Sequence, residues 1–243
     1  MASILARDRL IVALDLATVD AARALVLRLG PAVTFYKIGL ELAMAGGLDL
    51  ARELTGRGTQ VFLDMKLLDI ENTVERAARN AAATGATFLT VHAQDTKTLH
   101  AAVAGKARTQ LKVLGVTVLT NLDRRDLDEQ GMHTSPADLV LRRARLAREA
   151  GCDGVVASGL EAEGVRAAIG PGLAIVTPGI RLPGAVTGDQ ARVATPEQAI
   201  AAGADYVVVG RPITAAADPR EAAEAFVRAI EEALAARSLG PPG

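Results

Sequence analysis

The stretch TQVFLDMK, residues 59–66, joins a short apolar run to two charged residues at its end. The run is rich in residues that favour strands, and it leads directly into Asp64 and Lys66. Apolar residues at helical spacing follow from about residue 70 to residue 84. A buried strand that ends in polar side chains and leads into a helix is the repeating unit of parallel α/β folds.

The same unit recurs eight times along the chain. The predicted strands cover residues 9–15, 33–39, 59–66, 86–93, 111–119, 152–158, 173–180 and 204–211. The predicted helices cover residues 18–29, 40–57, 70–84, 95–107, 136–150, 160–169, 196–202 and 218–236. Such alternation predicts an α/β fold with right-handed crossovers, and eight units in 243 residues predict a closed (β/α)8 TIM barrel. An open, doubly wound sheet is the alternative, but its G-x-G-x-x-G signature is missing after the first strand.

Composition limits the classes of protein that fit. No Pro/Gly/Ser-rich linker divides the chain, so we expect one domain over residues 1–243, with residues 237–243 as a disordered tail. A net charge of −1 argues against nucleic-acid and anionic-membrane partners. The single cysteine, Cys152, excludes an internal disulfide, and no Cys/His pair has zinc spacing. No apolar run is long enough to span a membrane, and we expect a soluble, cytoplasmic protein.

Polar residues stand at the ends of the predicted strands. They are Asp15, Lys37, Asp64 with Lys66, His92, Thr120, Ser158, Pro178 with Arg181, and Gly210 with Arg211. In a (β/α)8 barrel, the functional site is built at the carboxyl ends of the strands. The sequence therefore predicts that these side chains meet at one mouth of the barrel.

The charged residues of the first three strands form the core of this predicted site. Side chains two residues apart share a face of a strand, so Phe62, Asp64 and Lys66 are expected to point into the barrel. Only five of the 27 basic residues are lysines, and a lysine, unlike an arginine, can exchange a proton when its pKa is tuned. A buried ion-pair network that joins strands is the structural alternative, but buried charges are costly and clusters of them often mark working sites. Lys66 beside carboxylates should stay protonated and serve as a general acid, whereas a Schiff-base lysine needs a lowered pKa.

Two segments near the C-terminus predict a phosphate site. PGIRLPGAVTGDQARVATP (178–196) is a long Gly- and Pro-rich loop, and VVVGRPI (207–213) follows the last strand. Loops after strands seven and eight of many barrels bind phosphate through backbone N–H groups. Gly210 allows close approach of the backbone, and Arg211 can bind phosphate in a bidentate manner. An ordinary turn is the alternative for the Gly-Arg pair.

The ordered set of motifs resembles the orotidine 5′-phosphate decarboxylase family, in its bacterial type. DMKLLDIENT (64–73) fits the family pattern D-x-K-x-x-D-I-x-x-T. The other matching segments are VALD (12–15), YKIG (36–39), VTVLT (116–120), TPGIR (177–181), DQ.R..TP (189–196) and GADYVVVGRPIT (203–214). The one departure is Asn121, where a serine often follows the threonine. His92 matches the family's VHA segment, and we expect it to support the site rather than to act in it.

The resemblance implies roles for individual residues. Lys66, Asp64, Asp69 and Lys37 are implied as catalytic residues. Asp69 and Thr73 are implied to reach into the site of a second subunit, so a homodimer with shared active sites is expected. The residues implied to bind substrate also include Asp15 for ribose or pyrimidine, Thr120 for pyrimidine, and Arg181, Gln190, Gly210 and Arg211 for phosphate. Gln190 can also bridge toward the base.

The resemblance also implies the reaction, which is decarboxylation of orotidine 5′-phosphate to UMP in pyrimidine biosynthesis. No cofactor and no metal are expected, and protonated Lys66 would stabilise and then protonate the carbanion at C6. Phosphate contacts would supply binding energy for closing the 181–192 loop. One alternative is a Mg2+-dependent sugar-phosphate decarboxylase or synthase of the same superfamily. The resemblance implies that such an enzyme would carry a Glu, rather than a Lys, at position 37. The other is a non-catalytic nucleotide-binding barrel.

Overall fold

The computed structural model describes residues 4–183 and 193–238, and its eight parallel strands close into a barrel. The strands are β1 (Leu10–Ala13), β2 (Phe35–Gly39), β3 (Gln60–Leu67), β4 (Phe88–His92), β5 (Lys112–Val116), β6 (Gly154–Val156), β7 (Ala174–Thr177) and β8 (Tyr206–Val209). Each strand pairs with the next one along the chain, and β8 pairs with β1. The predicted (β/α)8 barrel is therefore confirmed, and the open sheet is excluded.

Helices surround the barrel. They are α1 (Ala6–Arg9), α2 (Val19–Leu29), α3 (Leu40–Leu42), α4 (Leu48–Gly56), α5 (Glu71–Ala83), α6 (Thr96–Lys106), α7 (Arg124–Glu129), α8 (Pro136–Glu149), α9 (Ala162–Ile169), α10 (Pro196–Ala201), α11 (Arg211–Thr214) and α12 (Pro219–Ser238). Every predicted helix is present, whereas the short α1, α7 and α11 were not predicted. Among the described residues, no helix is long and apolar enough to cross a membrane.

Two predicted boundaries need correction. The predicted helix over 40–57 is interrupted between α3 and α4 by a π-helical turn, Ala43–Gly47, in which Gly46 has a φ of +96°. Glycine tolerates this left-handed conformation, so the Gly46-Gly47 pair explains the break. At the C-terminus, α12 continues to Ser238 and so includes the first two residues of the predicted tail. The rest of that tail lies outside the described residues.

Polar caps fix where several helices begin. The side chains of Thr18, Asp95 and Ser135 accept hydrogen bonds from backbone N–H groups in the first turns of α2, α6 and α8. Asp123 forms a capping box with Asp126 at the start of α7. These side chains satisfy N–H groups that have no partner within the helix. The sequence therefore carried a signal for α7, in the spacing of two aspartates within the polar loop after β5.

Aromatic residues fill the bottom of the barrel, at the amino ends of its strands. Phe35, Phe88 and Tyr206 are the first residues of β2, β4 and β8, and Phe62 packs against Phe88 while also bordering the cavity at the barrel mouth. Their ring centroids lie 5.1 to 6.0 Å apart in tilted and edge-to-face arrangements, which suit aromatic pairs. Leu, Val and Ala side chains fill the layer between the barrel and the helices. The barrel is therefore closed at the bottom and opens at the carboxyl ends of the strands.

Candidate active site

A cavity of about 560 Å³ occupies the barrel mouth. Eight of the eleven residues that the resemblance assigns to the site line this cavity, so the strand ends that carry them meet at the mouth. From the first three strands these are Asp15, Lys37, Asp64 and Lys66. From the fifth, seventh and eighth strands they are Thr120, Arg181, Gly210 and Arg211. Gln190 lies outside the described residues.

The four charged residues from the first three strands alternate in sign. Lys37 Nζ lies 2.8 Å from Asp15 Oδ1 and 3.5 Å from Asp64 Oδ2. Lys66 Nζ lies 2.8 Å from Asp64 Oδ1. Lys37 and Asp64 are largely buried, with side-chain exposures of 10% and 14%. The two oxygens of Asp64 therefore each face a different lysine at the floor of the cavity.

Strand register and a glycine allow this arrangement. Gly39 stands directly opposite Asp64 in the pairing of β2 with β3. A Cβ atom at Gly39 would lie 2.9 Å from both Asp15 Oδ1 and Lys37 Nζ, so a side chain there would push these two groups out of their present positions. Gly39 therefore keeps the space in which Asp15 and Lys37 meet. Its importance was not predicted, although the YKIG segment contains it.

The protonation state of Asp64 follows from its neighbours. Burial favours the neutral carboxyl group, but the charges of Lys37 and Lys66, with hydrogen bonds from Lys66 and Thr90, outweigh that effect and hold the pKa of Asp64 below its ordinary value. Asp64 is therefore ionised at neutral pH. Its negative charge lies between the two ammonium groups of Lys37 and Lys66.

The backbone of β3 is irregular where it carries Lys66. Phe62 packs inside the barrel, whereas Leu63 and Met65 pack in the layer below the helices, as alternation predicted. Pairing with β4 then shifts between Leu63 and Leu67. Lys66 has a φ of +48°, and Ala107 is the only other non-glycine described residue with a positive φ. Left-handed backbone at a residue with a side chain is strained and tends to mark functional sites.

Asp69 and Thr73 do not join the cavity of their own chain. Both are exposed, and Asp69 Oδ1 accepts a hydrogen bond of 2.6 Å from the N–H group of Ile70. Within the described part of the chain, no ion pair links Asp69 to Lys66, although the sequence had placed Lys66 between two aspartates. The adjacent Leu68 and Ile70 are 48% and 73% exposed. This segment therefore presents an acid beside an apolar surface.

Two arginines line the same cavity from the ends of β7 and β8. Burial and then the nearby positive charge of Arg211 lower the pKa of Arg181, so the two guanidinium groups are close enough to repel each other. Arg181 Nη1 donates a hydrogen bond of 2.9 Å to the carbonyl oxygen of Ile180. Gly210 directly precedes Arg211 at the start of α11. Concentrated positive charge of this kind favours an anionic ligand.

Two residues predicted at strand ends, His92 and Ser158, do not line the cavity, and one residue that lines it, Glu41, was not predicted. His92 does not line it, and burial, with the charges of Arg143 and Lys66, lowers the pKa of His92. Ser158 is buried and donates a hydrogen bond to Glu161. Glu41 lines the cavity but was not predicted, because it lies on a helix rather than at a strand end.

In the ranges 4–183 and 193–238, no group of three or more His, Cys, Asp or Glu residues could hold a metal ion.

Fold and site together define a (β/α)8-barrel protein with an alternating Asp–Lys cluster and paired arginines at its mouth. Comparison with known families agrees with this class. Residues 8–226 match the model described as the Orotidine 5′-phosphate decarboxylase / HUMPS family, and the chain belongs to that family.

Individual relatives agree with the family match. The chain is 59% identical over 227 residues to the orotidine 5′-phosphate decarboxylase of Methylorubrum extorquens (strain PA1), covering 93% of this chain and 97% of the relative. It is 56% identical over 225 residues to that of Rhodopseudomonas palustris (strain BisA53), covering 93% and 95%. The crystal structure of orotidine 5′-phosphate decarboxylase from Lactobacillus acidophilus superposes with a TM-score of 0.80 at 39% identity, covering 91% and 98%.

Proposed function

We propose that this protein decarboxylates orotidine 5′-phosphate to UMP, a step of pyrimidine biosynthesis. The family and the names of its relatives support this reaction. The observation that carries the proposal is the position of Lys66, whose Nζ lies 2.8 Å from Asp64 Oδ1 in the cavity. That contact supports a role for the Lys66 ammonium group as the proton donor, in a cavity large enough for a nucleotide.

The arrangement suits chemistry that creates a carbanion. When the bond between C6 and the carboxylate carbon breaks, CO2 leaves and the electron pair stays on C6. The ammonium group of Lys66 would stabilise that charge and then give its proton to C6, forming UMP. Fixed charges act most strongly where water is excluded, and Asp64, which contacts Lys66, is largely buried. Asp64, placed near the substrate carboxylate, would also disfavour the bound ground state.

The remaining cavity residues would orient the nucleotide. Arg181 and Arg211, after β7 and β8, would bind its phosphate, with the backbone of Gly210 beside them. Asp15 would contact the ribose or the pyrimidine, and Thr120 the pyrimidine. Gln190 is proposed on the phosphate side as well, from the resemblance alone. Binding energy from the phosphate would then be available for positioning C6. Most of the 181–192 loop, which the sequence predicts to close, lies outside the described residues.

A homodimer with shared sites is the proposed assembly. Its support is the exposed segment that carries Asp69 and Thr73, with Leu68 and Ile70 exposed beside them. An acid on an apolar surface next to the barrel mouth suits burial against a second copy of the chain. In the dimer, Asp69 would complete the partner's charged cluster and Thr73 would contact its substrate. The cytoplasmic location expected from the sequence stays a prediction.

The family description also covers sugar-phosphate enzymes, and Lys37 argues against that alternative. Enzymes of that kind are expected to carry a Glu at position 37. Here the ammonium group of Lys37 lies between Asp15 and Asp64, at 2.8 and 3.5 Å from their oxygens. A divalent cation bound by these carboxylates would have to displace it. The site therefore favours the metal-independent reaction.

A direct assay tests the proposal. Purified protein is mixed with orotidine 5′-phosphate in the presence and absence of EDTA, and UMP is measured by chromatography. We expect UMP to form at the same rate in both, because the cation that stabilises the carbanion is Lys66. Absence of UMP, or formation that stops with EDTA and returns with Mg2+, would contradict the proposed function.

A further inference from the structure

Thr90 in β4 contacts two parts of the charged cluster at once. Its side chain is fully buried and does not line the cavity. Thr90 Oγ1 accepts a hydrogen bond of 2.9 Å from the backbone N–H of Lys66. The same hydroxyl donates a hydrogen bond of 2.9 Å to Asp64 Oδ1. One hydroxyl group therefore joins the backbone of the proposed proton donor to the carboxylate beside it.

The hydroxyl occupies a gap in the strand pairing. Leu63 pairs with Leu89, but the next paired residues are Leu67 and Val91. Three residues of β3, numbered 64–66, thus stand opposite Thr90 alone. Such a bulge interrupts the backbone hydrogen bonds between strands and re-aims the side chains within it. The Thr90 side chain takes the Lys66 N–H that would otherwise pair along the strand.

The directions of these hydrogen bonds fix the geometry of both charged groups. Because Lys66 N–H uses a lone pair of the Thr90 oxygen, the hydroxyl proton is free to point at Asp64. Asp64 Oδ1 also forms an ion pair with Lys66 Nζ, at a distance of 2.8 Å. Backbone, hydroxyl, carboxylate and ammonium thus form a closed ring of contacts. This ring holds the backbone of Lys66 at its positive φ and holds Asp64 in the orientation that meets both lysines.

We propose that Thr90 is a positioning residue that aims Lys66 and Asp64 at the reacting carbon through its hydroxyl group. The inference rests on the proposed decarboxylation. Displacement of a reacting group by about 1 Å can slow an enzyme about 100-fold, so loss of the hydroxyl should act on turnover rather than on substrate affinity. The proposed phosphate ligands, Arg181 and Arg211, follow β7 and β8, whereas Thr90 lies in β4 and contacts β3.

Three variants separate positioning from simple structural support. Thr90→Val removes the hydroxyl and keeps the branched shape, and Thr90→Ser keeps the hydroxyl. Thr84→Val is the matched control, because Thr84 is a buried threonine whose hydroxyl donates to the carbonyl oxygen of Ala81, away from the cavity. Where Thr90→Val does not fold, Thr90→Ala takes its place in the comparison with Thr90→Ser.

Kinetics give the first readout. We expect Thr90→Val to lower kcat about 10- to 100-fold, with KM for orotidine 5′-phosphate within about threefold of the wild type. Thr90→Ser should recover most of the lost kcat, and Thr84→Val should lose only stability. The acid limb of the kcat–pH profile should also move to higher pH in Thr90→Val, because Asp64 loses one hydrogen-bond donor. Equal kcat in Thr90→Val and the wild type would overturn the inference, as would equal losses in the Val and Ser variants.

Hydrogen exchange of the Lys66 amide gives a second readout that needs no turnover. We expect slow exchange in the wild type and in Thr90→Ser, and faster exchange in Thr90→Val. Unchanged exchange in Thr90→Val would overturn the inference even in an active enzyme. A wild-type protein that makes no UMP would instead sink the proposed reaction, while the exchange data would still decide whether Thr90 holds the backbone of Lys66.

Discussion

Ion pairs occur at both ends of this barrel, and they differ in what surrounds them. At the bottom, Asp153 and Asp205 directly precede β6 and β8. Each accepts a hydrogen bond from an N–H group of the preceding strand, at 2.7 Å and 2.9 Å, and pairs with one cation from a helix, Lys106 or Arg166. At the mouth, Asp64 faces two lysines, and the cluster borders a cavity.

The difference shows why charge alone does not identify a functional site. The bottom pairs are fixed to backbone groups and tie helices to strand ends, so their expected contribution is to stability. The mouth cluster has Lys66 directed at open space, where its proton can reach a ligand. In barrels, residues at the bottom generally serve stability and residues at the mouth serve chemistry. Each prediction below tests one side of this comparison.

The largest expected effect concerns the mouth cluster and the proposed second subunit. Lys66→Ala and Asp69→Ala should each be nearly inactive, because each removes one charge from the shared site. When the two variants are mixed and exchange subunits at random, about half of the dimers should be mixed, each with one intact site. Activity should then return to roughly a quarter of the wild type. If verified exchange restores nothing, Asp69 does not act across an interface.

The next effect concerns the arginine side of the mouth. Arg211→Ala should weaken transition-state binding of orotidine 5′-phosphate by about 2–5 kcal/mol, because it removes a charged contact to phosphate. Orotidine, which lacks the phosphate, should react equally slowly with both proteins. Arg220→Ala, which breaks an exposed pair with Glu224, is the control and should leave both rates unchanged. Equal slowing of both substrates by Arg211→Ala would show that Arg211 does not bind phosphate.

At the bottom, Arg166 should matter for stability alone. Its guanidinium group donates to three backbone carbonyl oxygens and to Asp205. Arg166→Met leaves these acceptors without their donor, so the free energy of unfolding should fall by about 1–3 kcal/mol, measured by urea denaturation. The kcat of the folded variant should equal that of the wild type. A variant of unchanged stability, or a slow one that is fully folded, would contradict this assignment.

The smallest expected effect is a pH dependence that comes from His92. Its pKa in the folded protein lies below the ordinary value of 6.5, because of burial and nearby positive charge. As pH falls through 6.5, the unfolded chain therefore binds a proton that the folded chain does not, and stability falls. His92→Asn should reduce this loss of stability between neutral pH and pH values below 6.5. Equal slopes of unfolding free energy against pH in the two proteins would rule out this contribution.

The sequence was sufficient for features that depend on local pattern. Eight strand–helix units predicted the barrel, and their polar ends predicted most of the cavity. Features set by contacts between strands could not be predicted. The role of Thr90 depends on the shifted pairing of β3 with β4, and the positive φ of Lys66 arises within that shift. Asp69 lies outside the cavity of its own chain, and its proposed place in the site of a second subunit stays a prediction.

The most direct test of the central claim compares two lysines that each contact one aspartate closely. Lys66 contacts Asp64 at the mouth, and Lys106 contacts Asp153 at the bottom. Turnover of orotidine 5′-phosphate and the free energy of unfolding are measured for Lys66→Ala and Lys106→Ala side by side. We expect Lys66→Ala to fold, to bind UMP and to lose nearly all turnover, and Lys106→Ala to lose stability while keeping the kcat of the wild type. Substantial turnover in Lys66→Ala, or a loss of kcat in folded Lys106→Ala of similar size, would contradict the account.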